Sequence, residues 1–161
     1  SIYEAYAANS DLAVNVRYYR SKEYDNNRWH YALFDLDYGF GGPATFTFIL
    51  GSPHGKLLEA LLKNDSFQDL FLKRLAYQLE NNLTDENVMA SYLTLTDQIK
   101  DEVPRERALW TAKDTFGWEN HLKTLRQYMS SGRTMQLKQS IADALRIPLS
   151  EVETYFQGAN G

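Results

Sequence analysis

The chain has 161 residues, 43% of them hydrophobic, 14% aromatic and 24% charged, which is enough for one domain with a sizeable core. A net charge of −4 argues against a broad nucleic-acid footprint, and the absence of cysteine removes disulfide frameworks and thiolate metal sites. No apolar run approaches membrane-spanning length, and an opening with neither methionine nor signal peptide reads as a piece of a longer protein.

Up to about residue 55, strand signals dominate. "LAVNVRYYR" (12–20) is rich in β-branched and aromatic residues, "SKEYDNN" (21–27) is a polar turn, and "RWHYALFDLD" (28–37) is a second strand-like run. Together they predict an antiparallel hairpin. "TFTFIL" (45–50) reads as an extended segment before the turn "GSPHG". From residue 56 the apolar spacing is helical. Phe67, Phe71, Leu75 and Leu79 form one stripe, with Asp65 and Gln68 resembling a capping box. Val88, Tyr92, Leu95 and Ile99 form another, with Thr84 as N-cap and Pro104 as its stop. Trp118, Leu122, Leu125 and Met129 make a third, closed by Gly132. Leu137, Ile141 and Leu145 make a fourth ahead of Pro148, and "LSEVETYFQG" suits one more short helix. The prediction is an α+β fold in one domain over 1–161: a β-hairpin followed by a bundle of amphipathic helices.

The second strand raises a chemical question, because it ends in two acids and a glycine-rich turn, "DLDYGFGG". Strand side chains alternate faces, so Asp35 and Asp37 would share one, with Cα atoms about 6.5–7 Å apart. Two carboxylates so placed suit a hard divalent ion such as Mg²⁺, which takes few protein ligands and leaves room for phosphate oxygens. Glycines 39, 41 and 42 would allow a sharp turn and a close ligand. The plainer alternative ends the strand at Phe34 and leaves both acids as exposed turn residues. Asp11 and Asn15 stand four apart at the mouth of the first strand. A hairpin folds back, so Asp11, Asn15, Asp35 and Asp37 should converge at its open end; the plainer reading of Asp11 and Asn15 is a local turn cap. Asp, then Asn, then a hairpin, then Asp with glycine beyond is also the order of the phosphoryl-transfer half of protein kinases.

"SDLAVNVRYYRSKEYDNNRWHYALFDLDYGFGG" resembles the core of the spore coat protein H (CotH) kinase family, atypical kinases related to the protein-kinase fold. The matching positions are Asp11, Asn15, Trp29, Asp35, Asp37, Phe40 and Gly41, and the helical half through "LRQYMSSGRTMQLKQSIADAL" is similar in order, so the resemblance covers about residues 3–147. It implies the C-terminal lobe of an atypical kinase, with ATP-dependent phosphorylation of protein Ser or Thr. Asp11 would be the catalytic base or hydroxyl-orienting residue. Asn15 and Asp35 would coordinate Mg²⁺, with Asp37 a further or supporting ligand. The Asp11–Asn15 gap is one residue shorter than in the usual kinase loop. Nothing resembles a glycine-rich nucleotide loop and lysine strand, since "GFGG" follows the acids. The nucleotide-binding lobe is therefore expected upstream, and the chain alone is expected to be weak or inactive.

The resemblance implies ATP and Mg²⁺ as cofactors, a coat or surface protein as substrate, and a spore coat, cell-envelope or secreted location. The competing reading is a non-catalytic coat or surface interaction module that keeps the fold; a metal-dependent phosphohydrolase is weaker, because no histidine lies close in the motif. His30, His54 and His121 are too scattered for a zinc site. Arg133 reads as a structural ion pair or, less simply, a phosphate contact. "PRERALW" reads as a solvated helix start, and tyrosines 18, 19, 24, 31 and 38 as cross-strand packing.

Overall fold

A computed structural model describes residues 2–12, 15–41, 45–110 and 116–156; Gly42 and part of the predicted first strand lie outside them. The chain opens on a helix, α1 (Ile2–Ala7), whose Glu4, Ala5, Tyr6 and Ala7 are buried. It leaves α1 through Ala8, in left-handed backbone at φ 52°. Strands β1 (Arg17–Tyr19) and β2 (His30–Ala32) then pair antiparallel, Arg17 with Ala32, Tyr18 with Tyr31 and Tyr19 with His30.

The predicted hairpin is present, but both strands are shorter than their sequence pattern. The run 28–37 keeps strand geometry only over His30–Ala32. Residues 33–36 have no ladder partner, and Asp35 adopts a left-handed conformation at φ 57°, which Asp tolerates better than most residues. Period-two alternation therefore does not place Asp35 and Asp37. At the other end, Asp25, Asn26 and Asn27 all take positive φ, so the polar turn reverses through residues suited to it. Tyr18 meets Tyr31 edge-on at 5.6 Å between ring centroids, the cross-strand packing expected of them.

"TFTFIL" is not extended. It forms α2 (Phe46–Gly51), with Thr45 as N-cap accepting from the Phe48 N–H at 3.3 Å. A six-residue apolar run fits either period; here Phe46, Ile49 and Leu50 are buried while Phe48 is exposed, which is the helical choice. The next helix, α3 (Gly55–Leu61), starts against α2 so closely that a Cβ on Gly55 would lie 1.9 Å from the Ile49 carbonyl oxygen. Only glycine fits there.

Helices α4 (Asp65–Asn81), α5 (Asp85–Ile99), α6 (Val103–Leu109), α7 (Phe116–Met129), α8 (Arg133–Leu145) and α9 (Leu149–Thr154) follow. The N-cap of α4 is Asn64, whose side chain accepts from the Phe67 N–H at 3.1 Å, one residue earlier than the predicted capping box. Thr84 caps α5 as predicted, accepting from the Asn87 N–H at 3.1 Å. Pro104 does not end α5; it sits in the first turn of α6, where its missing N–H is not needed. The α5 stripe is only half used. Tyr92 is buried with its hydroxyl on the Leu122 carbonyl of α7, whereas Leu95 and Ile99 are exposed.

The core is built around α8, which packs on α1, α2 and α9. Phe46, Ile49, Leu72, Leu75, Leu137, Ile141 and Val152 are essentially sealed from solvent. Each such side chain contributes about 1.5–3 kcal/mol, so α1 and the turn after it rest on the most firmly packed part of the molecule.

Candidate functional site

Two arms meet at the open end of the hairpin. The first runs from α1 to β1 and carries Asp11 and Asn15; the second leaves β2 and carries Asp35 and Asp37. They are tied by backbone: the Phe40 N–H donates to the Ala7 carbonyl at 2.6 Å, and the Ser10 hydroxyl donates to the Tyr38 carbonyl at 3.1 Å. Gly39 lies in the same tie. A Cβ there would fall 2.9 Å from the Leu36 carbonyl oxygen and 3.1 Å from that of Ala7, so this glycine admits the backbone of α1 rather than a ligand.

Within the first arm, the Asn15 amide nitrogen donates to Asp11 Oδ2 at 2.8 Å, and the Asn15 N–H to the Asp11 carbonyl at 3.2 Å. This is the local cap read as the plainer alternative, and it leaves the Asn15 side-chain oxygen uncommitted to Asp11. In the second arm, Asp35 and Asp37 are exposed, and their carboxyl groups share a hydrogen bond. That bond holds the Asp35 pKa above the ordinary carboxylate value. Partial desolvation acts in the same sense. Asp37 and Asp11 both act on Asp35 as like charges, with Arg17 opposing.

Among the described residues, no group of three His, Asp or Glu side chains is placed to hold a metal ion. The donor set is two carboxylates and an amide oxygen. That is an incomplete shell of the kind Mg²⁺ accepts, because it keeps several waters and completes its octahedron with phosphate oxygens. It would not suit a dedicated protein cage. Leu36 and Phe40, which flank Asp37, line an apolar cavity of about 360 Å³ together with Tyr6, Tyr92 and Met129; the four polar side chains lie outside its lining.

Several other expectations resolve differently. Among the described residues Arg133 makes no ion pair with an acid. It is buried, and its guanidinium donates from Nε to the Tyr6 carbonyl at 2.8 Å and from Nη2 to the Ala5 carbonyl, with the Tyr128 hydroxyl also on Tyr6. A cation from α8 thereby closes the C-terminus of α1, where unpaired carbonyls and the helix dipole favour positive charge. His30 stacks on Tyr19 with Nε2 3.3 Å from Asp25, and His54 Nδ1 lies 3.4 Å from the Tyr18 hydroxyl, so neither histidine serves the acids.

Sequence reasoning missed Arg17 and Glu4. Arg17 sits over the Phe34 ring at 4.7 Å and is the cation that Asp35 senses. Glu4 is fully buried, with Oε2 accepting from the Asn9 amide at 2.8 Å and Oε1 from the Tyr31 hydroxyl at 2.7 Å. Its signal was a lone acid inside the apolar run "IYEAYAA".

A family model described as CotH kinase protein matches residues 1–135, a span that contains both arms and every residue of the candidate site. Nothing among curated proteins or solved structures matches the chain.

Proposed function

Because the chain belongs to the CotH kinase family, we propose that it carries the hydroxyl-orienting and metal-holding groups of an ATP- and Mg²⁺-dependent protein Ser/Thr phosphotransferase. Asp11 orients the acceptor hydroxyl and takes its proton. The side-chain oxygen of Asn15 and the carboxylate of Asp35 are the metal ligands, and Asp37 adds a further ligand or fixes Asp35. A bound Mg²⁺ supplies charge neutralisation for the nucleotide phosphates. The protein substrate is a coat or cell-surface protein, with the spore coat or cell envelope as the place of action.

The observation that supports this reading is the tie at Ala7–Phe40 and Ser10–Tyr38 between the two arms that carry the Asp11–Asn15 and Asp35–Asp37 pairs. The crowding that raises the Asp35 pKa favours a cation at that place. A Cβ on Gly39 would meet α1 backbone, so Gly39 makes room for α1 rather than for a nucleotide, and no glycine-rich nucleotide loop precedes the acids in this sequence. The chain on its own is accordingly expected to transfer phosphate weakly or not at all.

The test is transfer of the labelled γ-phosphoryl group in the full-length protein, alongside Mg²⁺ titration of the chain. Asp35→Asn should abolish transfer and weaken Mg²⁺ binding while leaving the fold unchanged. Undiminished transfer by that variant would show the assigned roles to be wrong. Partner capture with no transfer by either form would favour the non-catalytic interaction module.

A further inference from the structure

The buried Glu4 has no place in the phosphoryl-transfer roles above, yet among the described residues it is the one fully buried acid. It sits in the first turn of α1 at 0% exposure, and both of its carboxyl oxygens accept hydrogen bonds, one from Asn9 and one from Tyr31. Asn9 is equally buried, and its own side-chain oxygen accepts the backbone N–H of Asp11 at 3.0 Å. Asp11 in turn receives Asn15. A line of hydrogen bonds therefore runs Tyr31–Glu4–Asn9–Asp11–Asn15, passing through the backbone N–H of Asp11. It starts on β2 and ends on the Asp11–Asn15 pair.

A simple packing role would be better filled by an apolar side chain, since a buried carboxyl group must be compensated before it stabilises anything. What an apolar residue cannot do is accept from two donors at once. Ala8 and Asn9 in this turn are held by backbone hydrogen bonds to α1 and Ser10 by Tyr38, but the Asp11 N–H itself is held by the Asn9 side chain. The strand bearing Tyr31 is the one that continues to Asp35. Glu4 thus joins the segment that sets Asp11 to the segment that sets Asp35.

We infer that Glu4 is a positioning residue for Asp11, acting through the Asn9 side chain and braced by Tyr31. This assignment rests on the phosphotransfer reading for its consequence, though not for its geometry. Glutamine at position 4 keeps the shape but replaces one acceptor oxygen by a donor, facing a partner that also donates. Glu4→Leu with Tyr31→Phe removes the carboxylate and the Tyr31 hydroxyl together and frees the buried Asn9 amide from Glu4.

Amide hydrogen exchange on the full chain reads the geometry directly. Protection of the Asp11 N–H should fall at least tenfold in Glu4→Gln and in the Glu4→Leu/Tyr31→Phe double variant, with the α8 core amides unchanged. Retained Asp11 protection in the double variant would overturn the inference, whatever happens to activity. In the full-length protein, both variants should lower kcat at least tenfold with KM for ATP within twofold of wild type. A kcat loss no greater than the loss of folded protein would reduce Glu4 to packing and also overturn it. Asp11→Asn is the separate control: full transfer by that variant would sink the phosphotransfer reading, while the exchange result would still decide Glu4.

Discussion

Asp35 and Asp37 share a hydrogen bond in an exposed loop that also feels Asp11, with Arg17 as the cation acting on Asp35. The folded chain therefore binds the Asp35 proton more tightly than an unfolded chain does. That contribution is fully present below the ordinary carboxylate pKa and is lost as pH rises through the elevated folded value. In metal-free buffer, Asp37→Asn should remove most of the effect. Its urea midpoint should gain on wild type as pH rises from the acid side of the Asp35 titration to neutrality; parallel curves would exclude the like-charge account. Gly39 is the second sensitive residue. A Cβ there meets two backbone oxygens, those of Leu36 and Ala7, and neither can swing aside as a side-chain tip would. Gly39→Ala should cost about 1–3 kcal/mol in urea unfolding, as overpacking does, and should separate the second arm from α1.

At the scale of elements, α1 is too short to persist alone and is held by what α8 gives it. Arg133 supplies donors to the carbonyls of Ala5 and Tyr6 from 127 or more positions away in sequence. Arg133→Met keeps much of the bulk and removes these charged donors, while the Tyr6 carbonyl keeps the Tyr128 hydroxyl and the Ala5 carbonyl the Ala8 N–H, so the loss is that of buried charge-assisted hydrogen bonds, about 1–3 kcal/mol in all. The expected result is a lower urea midpoint with exchange protection lost first in α1. Uniform loss across all helices would instead mark Arg133 as general core.

The same distance explains what could be read from sequence. Helices α4, α5, α7 and α8 run 13 to 17 residues, long enough for a 3.6-residue stripe to declare itself. The six-residue apolar runs of α1 and α2 fit a strand equally well, and only tertiary packing chose. The meeting of the two arms at the open end was legible because a hairpin must return to its start. How the acids are held was not. It depends on a left-handed Asp35, on Tyr31 reaching Glu4 across 27 positions, and on an arginine whose partners are backbone. None of these leaves a local pattern.

For the molecule as a whole, burial is unevenly spread, and stability should follow it. Helix α8 contributes Leu137, Ile141 and Ala142 to the core, where it meets α1, α2 and α9. Helix α6 has no buried residue, and the second half of α5 exposes Leu95 and Ile99. Native-state hydrogen exchange should therefore resolve two tiers. Amides of α6 should exchange through small openings that denaturant barely affects, whereas those of α8 should exchange only on global unfolding. Leu137→Ala should lower the α8, α1 and α2 protection together by about 2–5 kcal/mol, the usual range for a large-to-small core change, and leave α6 where it was. If α6 protection fell in step with α8, the chain would be a single cooperative unit. The turn from α1 to Asp11 joins the firm tier through its buried Ala8, Asn9 and Leu12, and α1 receives Gly39. A site built on the rigid tier keeps its geometry while the outer helices breathe, so Leu137→Ala should disturb Asp11 far more than any substitution in α6.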